Sequence, residues 1–281
     1  MAMTPPISAA AIAAACRHPA AATVAIDVVD TTGSTNADLL ARVAAASSAA
    51  LTRPTLLVAR RQTAGRGRAG RTWVSDAGSL TFSLAWRFEQ PLAALVGLPL
   101  AIGVAVAEVL NARAAGAQLK WPNDVLVDGA KLAGILLETA GVPTLLQPQT
   151  WAVIGVGINI CEAPVNGAPA LLPIGAAPAA TLTAMDRNLL LARLLDAFCT
   201  TLDTFGRSGL APFVARWNAL HAHAGRMVNI LERGAVVQSG RALGIDAMGR
   251  LLLESGSGMV AVLAGDVSLR LAEESSDAAV D

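Results

Sequence analysis

Between Arg60 and Ser75 the chain reads Arg-Arg-Gln-Thr-Ala-Gly-Arg-Gly-Arg-Ala-Gly-Arg-Thr-Trp-Val-Ser. Its first twelve residues hold five arginines and no acid, in a chain whose formal net charge is zero. Gly65, Gly67 and Gly70 alternate with Arg66, Arg68 and Arg71. Glycine lets backbone N–H groups come close to a ligand, and the guanidinium fork matches carboxylate or phosphate. A loop of that chemistry can enclose an anion. The plainer reading is a solvated basic loop without a ligand.

Two familiar phosphate loops do not fit. Gly65-x-Gly67-x-x-Gly70 has the spacing of the dinucleotide fingerprint and follows an apolar run. That fingerprint needs a helix to begin inside it. Here β-prone Arg71 to Ser75 follows, and then Asp76-Ala77-Gly78 turns the chain. No Gly-Lys-Ser/Thr ends the loop, so it is not a Walker motif either.

Composition narrows the class. A chain of 281 residues fits one large domain, or one large and one small. With 54% hydrophobic and 15% charged residues, core material is ample. Zero net charge argues against a general nucleic-acid binder. Cys16, Cys161 and Cys199 form no Cys-x-x-Cys, so neither a zinc site nor a disulfide framework is indicated, which suits a cytoplasmic setting. His221 and His223 have no third ligand and read as structural or exposed. The apolar N-terminal run lacks the basic start of a signal peptide. The 17-residue stretch Pro91 to Ala107 is short for a membrane span and is broken by Gly97 and Pro99. It predicts a buried helix beginning near Pro99.

The elements that must carry the loop follow in order. Residues 1–22 are Ala/Pro-rich and read as partly disordered or a loose helix. Strands are expected at Thr23 to Val29, Leu56 to Ala59, Ser79 to Phe88, Gln118 to Trp121 and Trp151 to Ile160. Thr35 and Asp38 have capping-box spacing before Leu39-Leu40-x-x-Val43. Ser34, Thr35 and Asn36 therefore read first as helix capping, and second as small polar groups that can hold a ligand. Asp128-Gly129 between two apolar runs signals a hairpin. Gly134, Gly155 and Gly157 sit inside expected strands, where glycine suggests a ligand or backbone lying close. Glu162 to Ala180 reads as a loop, and Asn188 to Leu202 and Pro212 to Ala222 as helices. From Gly225 onward, short strands at Val228 to Leu231, Ala235 to Gly244, Leu251 to Leu253 and Met259 to Leu263 suggest a small β-barrel. An acidic tail after Leu271 reads as disordered.

Taken in order, Ser34-Thr35-Asn36, Gln62-x-x-Gly65-Arg66-Gly67-Arg68-x-Gly70-Arg71-x-Trp73, Lys120-Trp121-Pro122-Asn123-Asp124, Lys131-Leu132-Ala133-Gly134-Ile135-Leu136-x-Glu138 and Gly155-x-Gly157-x-Asn159 resemble the biotin protein ligases. The resemblance spans about residues 25 to 272. It implies an α+β fold: a mixed or antiparallel central sheet packed with helices, class II synthetase-like, at 23–223. A C-terminal SH3-like β-barrel follows at 224–272, with 1–22 and 273–281 outside both. It also implies the reaction. Biotin attacks the α-phosphate of MgATP to give biotinyl-5′-adenylate, and a carrier-domain lysine then takes the biotinyl group as an amide.

Roles carried over by the resemblance are these. Lys131 bridges carboxylate and α-phosphate, and Arg66 and Arg68 close the loop over them. Ser34, Thr35, Asn36, Gln62, Gly67, Gly155 and Gly157 join Arg66, Arg68 and Lys131 around biotin. Arg71, Trp73, Asn123, Asp124 and Asn159 lie with Arg68 and Lys131 at ATP, with Asn123 and Asp124 towards Mg2+. Trp121 reads as packing. Only 33 residues precede Ser34, so a DNA-binding domain is not expected. Family members occur as monomers and homodimers. A lipoate or octanoate ligase of the same superfamily and a non-catalytic anion-binding module remain as alternatives.

Overall fold

A computed structural model describes residues 6–45, 51–75, 78–113, 115–142, 149–160, 186–256, 258–265 and 267–272. The expected Glu162 to Ala180 loop, the acidic tail from residue 273 and Cys161 lie outside the described residues. Seven strands form the main sheet: β1 (Ala25–Thr32), β2 (Thr55–Gln62), β3 (Ser79–Phe88), β4 (Gln118–Lys120), β5 (Asp124–Val127), β6 (Ala130–Val142) and β7 (Gln149–Asn159). Their order is β1-β2-β3-β7-β6-β5-β4. Only β1 and β2 run parallel, so the sheet is mixed. The β5–β6 turn is the expected one: Asp128 and Gly129 take φ of 51° and 78°, the left-handed pair that a two-residue hairpin needs.

Alternation along β7 divides the sheet into a core face and a site face. Ile154, Val156 and Ile158 enter the main core. Trp151 and Val153 face the other way, beneath Leu39 of α2 (Thr35–Ala44). Gly155, under the first turn of the helix, and then Gly157 and Asn159 continue that second face. The floor thus changes along a single strand from apolar and covered to glycine-lined. On the core face lie α3 (Leu98–Asn111), α4 (Arg187–Ser208) and α5 (Ala211–Ala219). Phe82 of β3 meets Phe198 of α4 at 6.2 Å between ring centroids.

The segment Leu92–Asn111 has the length and hydropathy, 2.2, of a membrane span. Its helical part, α3, is buried on nearly all sides against α4, α5 and β6, as a core helix is.

Three sequence expectations change. From residue 6 onward the N-terminal segment is not loose: α1 (Ala9–Ala15) is capped by Ser8 and buries Ile12 fully. Asn188 Oδ1 accepts from Ser8 N–H at 2.8 Å, and Asp196 accepts from the backbone of Arg17 and His18. Ser34, not Thr35, is the N-cap of α2, accepting from Ala37 N–H at 3.4 Å. Asp38 instead accepts from Thr32 Oγ1 at 2.5 Å. The C-terminal unit has five strands, not four: β8 (Met227–Glu232), β9 (Ala235–Ile245), β10 (Leu251–Ser255), β11 (Gly258–Val262) and β12 (Val267–Leu271), in the order β11-β10-β9-β8-β12. Among the described residues β11 and β12 are unpaired edges, so this SH3-like unit is an open antiparallel sheet.

His221 and His223 are both buried, which removes the exposed reading. His221 lies on Trp217 at 4.7 Å between ring centroids. Burial, and then the neighbouring His223, push it down to about 4. Between the ordinary value and 4 the unfolded chain binds the proton first, so stability falls as pH drops through that window. The parent is expected to lose about 2 kcal/mol more between about pH 7 and pH 5 than His221→Phe does. Denaturant unfolding at the two pH values checks this, and equal losses would contradict it.

Candidate active site

The Gly/Arg loop leaves β2 and doubles back on itself. Trp73 N–H donates to Gly65 O at 2.9 Å, Gly67 N–H donates to Arg71 O at 2.7 Å, and Arg66 bridges Thr72. No helix long enough to bind pyrophosphate starts here; the tip is a single 3-10 turn over Arg68–Gly70. Ala69 and Gly70 turn it with φ of 52° and 72°. Gly65 is required because a Cβ there would lie 2.3 Å from Trp73 O.

The two arginines flanking Gly67 diverge. Arg66 donates to Glu138 Oε1 on β6 at 2.7 Å. Arg68 donates to Asn123 Oδ1 at 3.0 Å and also to the Gly265 carbonyl between β11 and β12. The loop is therefore anchored to β6 on one side and to the C-terminal sheet on the other.

Below the loop, Lys131 Nζ stands 2.6 Å from Asp124 Oδ1 and 5.8 Å from the centroid of Trp73. The ammonium is thus held by one carboxylate and one aromatic face. Asn159 is buried and donates to the Lys131 carbonyl at 3.2 Å, fixing the backbone that carries it. Asn123 Nδ2 donates to Ile135 O at 2.8 Å.

The strand glycines make room for side chains of this chain. A Cβ on Gly157 would lie 2.3 Å from the Trp73 ring, and one on Gly155 would lie 2.4 Å from Asn36 Oδ1. At Gly134 it would meet Lys131 and Trp73 at 3.2–3.3 Å. In this structure the space that the sequence led us to expect for a ligand or another backbone is taken up by Trp73, Asn36 and Lys131. Gly157→Ala is expected to push the indole off the floor. Acrylamide quenching of Trp73, referenced to Trp73→Phe, should rise. Unchanged quenching would contradict the packing.

Around these groups lies a cavity of about 780 Å³. Ser34, Thr35, Asn36, Gln62, Arg66, Gly67, Arg68, Arg71, Trp73, Asn123, Asp124, Lys131, Gly155, Gly157 and Asn159 all line it. Every site residue expected from the sequence is therefore brought to one place. The sequence reading missed His223, Arg226 and Arg270, which the C-terminal part of the chain adds to the wall. They sit in no shared motif, and only the docking of that sheet brings them near. Trp121 lines the cavity too, but it is buried and donates Nε1 to Gly249 O at 3.1 Å, a packing role.

Two features suit anionic ligands. Arg66, Arg68, Arg71, Arg226, Arg270 and Lys131 share the wall with Asp124. Among the described residues the buried Trp73 Nε1 hydrogen has no acceptor, and a buried indole N–H ordinarily has one. A cleft of this size with convergent cations can hold two anions side by side.

Known proteins bear on which anions. The model of the Biotin/lipoate A/B protein ligase family matches residues 30–159, and that of the Biotin protein ligase C terminal domain matches residues 223–270. A biotin--[acetyl-CoA-carboxylase] ligase of Mycobacterium tuberculosis is 40% identical over 86% of this chain and 88% of its own. The bifunctional ligase/repressor BirA of Escherichia coli is 39% identical over 77% of this chain and 67% of its own. A solved biotin protein ligase from Aquifex aeolicus, in complex with biotin and ATP, superposes with a TM-score of 0.70 at 28% identity, covering 88% of this chain and 99% of that one. Motif residues gathered round one cavity, and relatives matched along most of their length, lead to the same result: the chain belongs to the biotin protein ligase family.

Proposed function

We propose that this ATP-dependent biotin ligase joins its substrates in the 780 Å³ cavity, with the residues above in the following roles. The biotin carboxylate and the α-phosphate repel each other, and Lys131 lies where an ammonium can bridge them. Its pairing with an anionic oxygen of Asp124 at 2.6 Å supports this reading. This observation carries the assignment. The carboxylate attacks the α-phosphorus, the bond to the bridging oxygen breaks, and pyrophosphate leaves. Arg66 and Arg68 offset charge that builds on the non-bridging oxygens. The acceptor lysine then attacks the acyl carbon, and AMP leaves.

Ser34, Thr35, Asn36 and Gln62 hold the biotin head, with Gly67, Gly155 and Gly157 giving close approach. Arg71, Trp73 and Asn159 serve the nucleotide. The Trp73 indole rests on the floor between Gly134 and Gly157. Swinging out would clear the floor and let it cover the adenylate, excluding water.

Mg2+ enters with ATP. Among the described residues no cluster of three His, Cys, Asp or Glu could hold a metal alone. Mg2+ binds through one or two carboxylates plus substrate phosphates. Asp124, with Asn123 beside it, would supply the protein oxygens, and the ion would neutralise phosphate charge.

The protein partner is a biotin carboxyl carrier domain, and dependence on ATP suits the cytoplasm. Biotin is favoured over lipoate because the second matched unit is the biotin protein ligase C-terminal domain. Biotin-dependent exchange of labelled pyrophosphate into ATP tests the reading. Exchange with lipoate alone, or none, would overturn it.

A further inference from the structure

Glu138 closes the Lys131-to-Glu138 motif and has no role in the scheme so far. It is half-buried on β6 and receives two donors: Asn36 Nδ2 at 2.9 Å on Oε2 and Arg66 Nη2 at 2.7 Å on Oε1. Behind Asn36 runs a chain of side chains. Asn36 Oδ1 accepts from Ser83 Oγ at 2.6 Å, and Ser83 Oγ lies 2.6 Å from Thr35 Oγ1.

Hydrogen counting gives this chain a direction. The Glu138 carboxylate and the Leu136 carbonyl can only accept, so both must face the Asn36 amide nitrogen. The Asn36 oxygen is then turned to Ser83, which must give it its only hydroxyl hydrogen. Ser83 can therefore only accept from Thr35. Thr35 spends its hydrogen there, at the shorter of its two hydroxyl contacts; the other is Gln62 Oε1 at 3.1 Å. What Thr35 has left for the cavity is a lone pair.

The neighbouring Ser34 has the opposite polarity. Its oxygen accepts from Ala37 N–H as the helix cap, so its hydrogen is available to donate. One hydroxyl offering a hydrogen beside one offering a lone pair complements the C=O and N–H of a urea.

We infer that Glu138 is a positioning residue that fixes the orientation of Asn36, and through Ser83 the polarity of Thr35, so that the pocket selects a head group carrying a ureido N–H. The inference rests on the biotin-ligase reading and deepens it. Glu138 also ties this selection to the loop, because the same carboxylate holds Arg66.

Gln is nearly isosteric and makes the reverse chain possible. Its amide nitrogen can donate to a flipped Asn36 oxygen, and Ser83 then accepts from Asn36 and gives its hydrogen to Thr35. The Thr35 hydrogen turns away towards Gln62 Oε1 and the cavity, so the polarity of Thr35 is no longer fixed. Titration calorimetry on the full chain would compare biotin with an analogue methylated on its ureido nitrogens, for the parent, Glu138→Gln and Glu138→Ala. Expected is a tenfold to hundredfold weaker affinity for biotin in Glu138→Gln. The penalty for N-methylation, large in the parent, should shrink to about threefold or less as the chain loses its direction. In exchange assays KM for biotin should rise while KM for ATP stays within about twofold.

Glu138→Ala controls for size. It should lose affinity and discrimination together with an unchanged far-UV spectrum. If Glu138→Gln binds biotin as the parent does, or keeps the full N-methyl penalty, Glu138 has no such role. A parent that does not bind biotin would instead remove the functional reading itself.

Discussion

Replacing Lys131 with alanine is expected to slow biotin-dependent pyrophosphate exchange by about 10³-fold or more while the thermal midpoint stays close to the parent's. The size follows from position. In the proposed scheme Lys131 is the cation at the point where the two acids meet, and its surroundings hold it firmly. Asp124 lies 2.6 Å away, the Trp73 ring is packed beneath, and Asn159 fixes its carbonyl. The ion pair is partly exposed, so its loss costs little stability. Its removal leaves the carboxylate and phosphate to repel each other. Measured kcat should fall far more than the affinity for either substrate. A variant with near-normal kcat would take Lys131 out of the reaction.

Arg68→Gly is expected to release the adenylate on the order of 10² times faster. Arg68 makes the contact between loop and C-terminal sheet, through Asn123 on one side and the Gly265 carbonyl on the other. Losing that clasp, and the charge on the phosphate, opens the cavity while Lys131 still makes the intermediate. Exchange should therefore survive better than in Lys131→Ala, and freed adenylate should label lysines on unrelated proteins in the same tube. Both effects can be followed by gel filtration of protein loaded with labelled biotin, together with blotting for stray biotin. Retention equal to the parent's would mean that the loop does not hold the intermediate.

The contrast between these variants bears on what the sequence could tell. Lys131, Arg66 and Arg68 were legible because motif order brings chemically apt residues into view even when their separation in space is unknown. The Asp128-Gly129 turn was legible because backbone sterics at positive φ are local. The partners were not. Glu138 lies on a different element from Arg66, and no periodicity marks the pair. The glycines were noticed without their neighbours: spacing shows that something lies close, not that it is Trp73 or the amide of Asn36. Ser34 took the cap expected of Thr35 because a one-residue shift leaves the local pattern almost unchanged. Arg226 and Arg270 reach the cavity only through docking of the C-terminal sheet, which is a property of packing. Local rules thus picked out groups that line one cavity, and the contacts among them had to come from the structure.

A crystal of this ligase grown with biotin and a non-hydrolysable ATP analogue puts the whole arrangement to the test. The carboxylate oxygen should lie about 3–3.5 Å from the α-phosphorus, with Lys131 Nζ bonded to both groups, Arg68 over the phosphate, and the ureido ring against Ser34 and Thr35. Either ligand bound away from Lys131 and Arg68, or the two held too far apart to react, would contradict it.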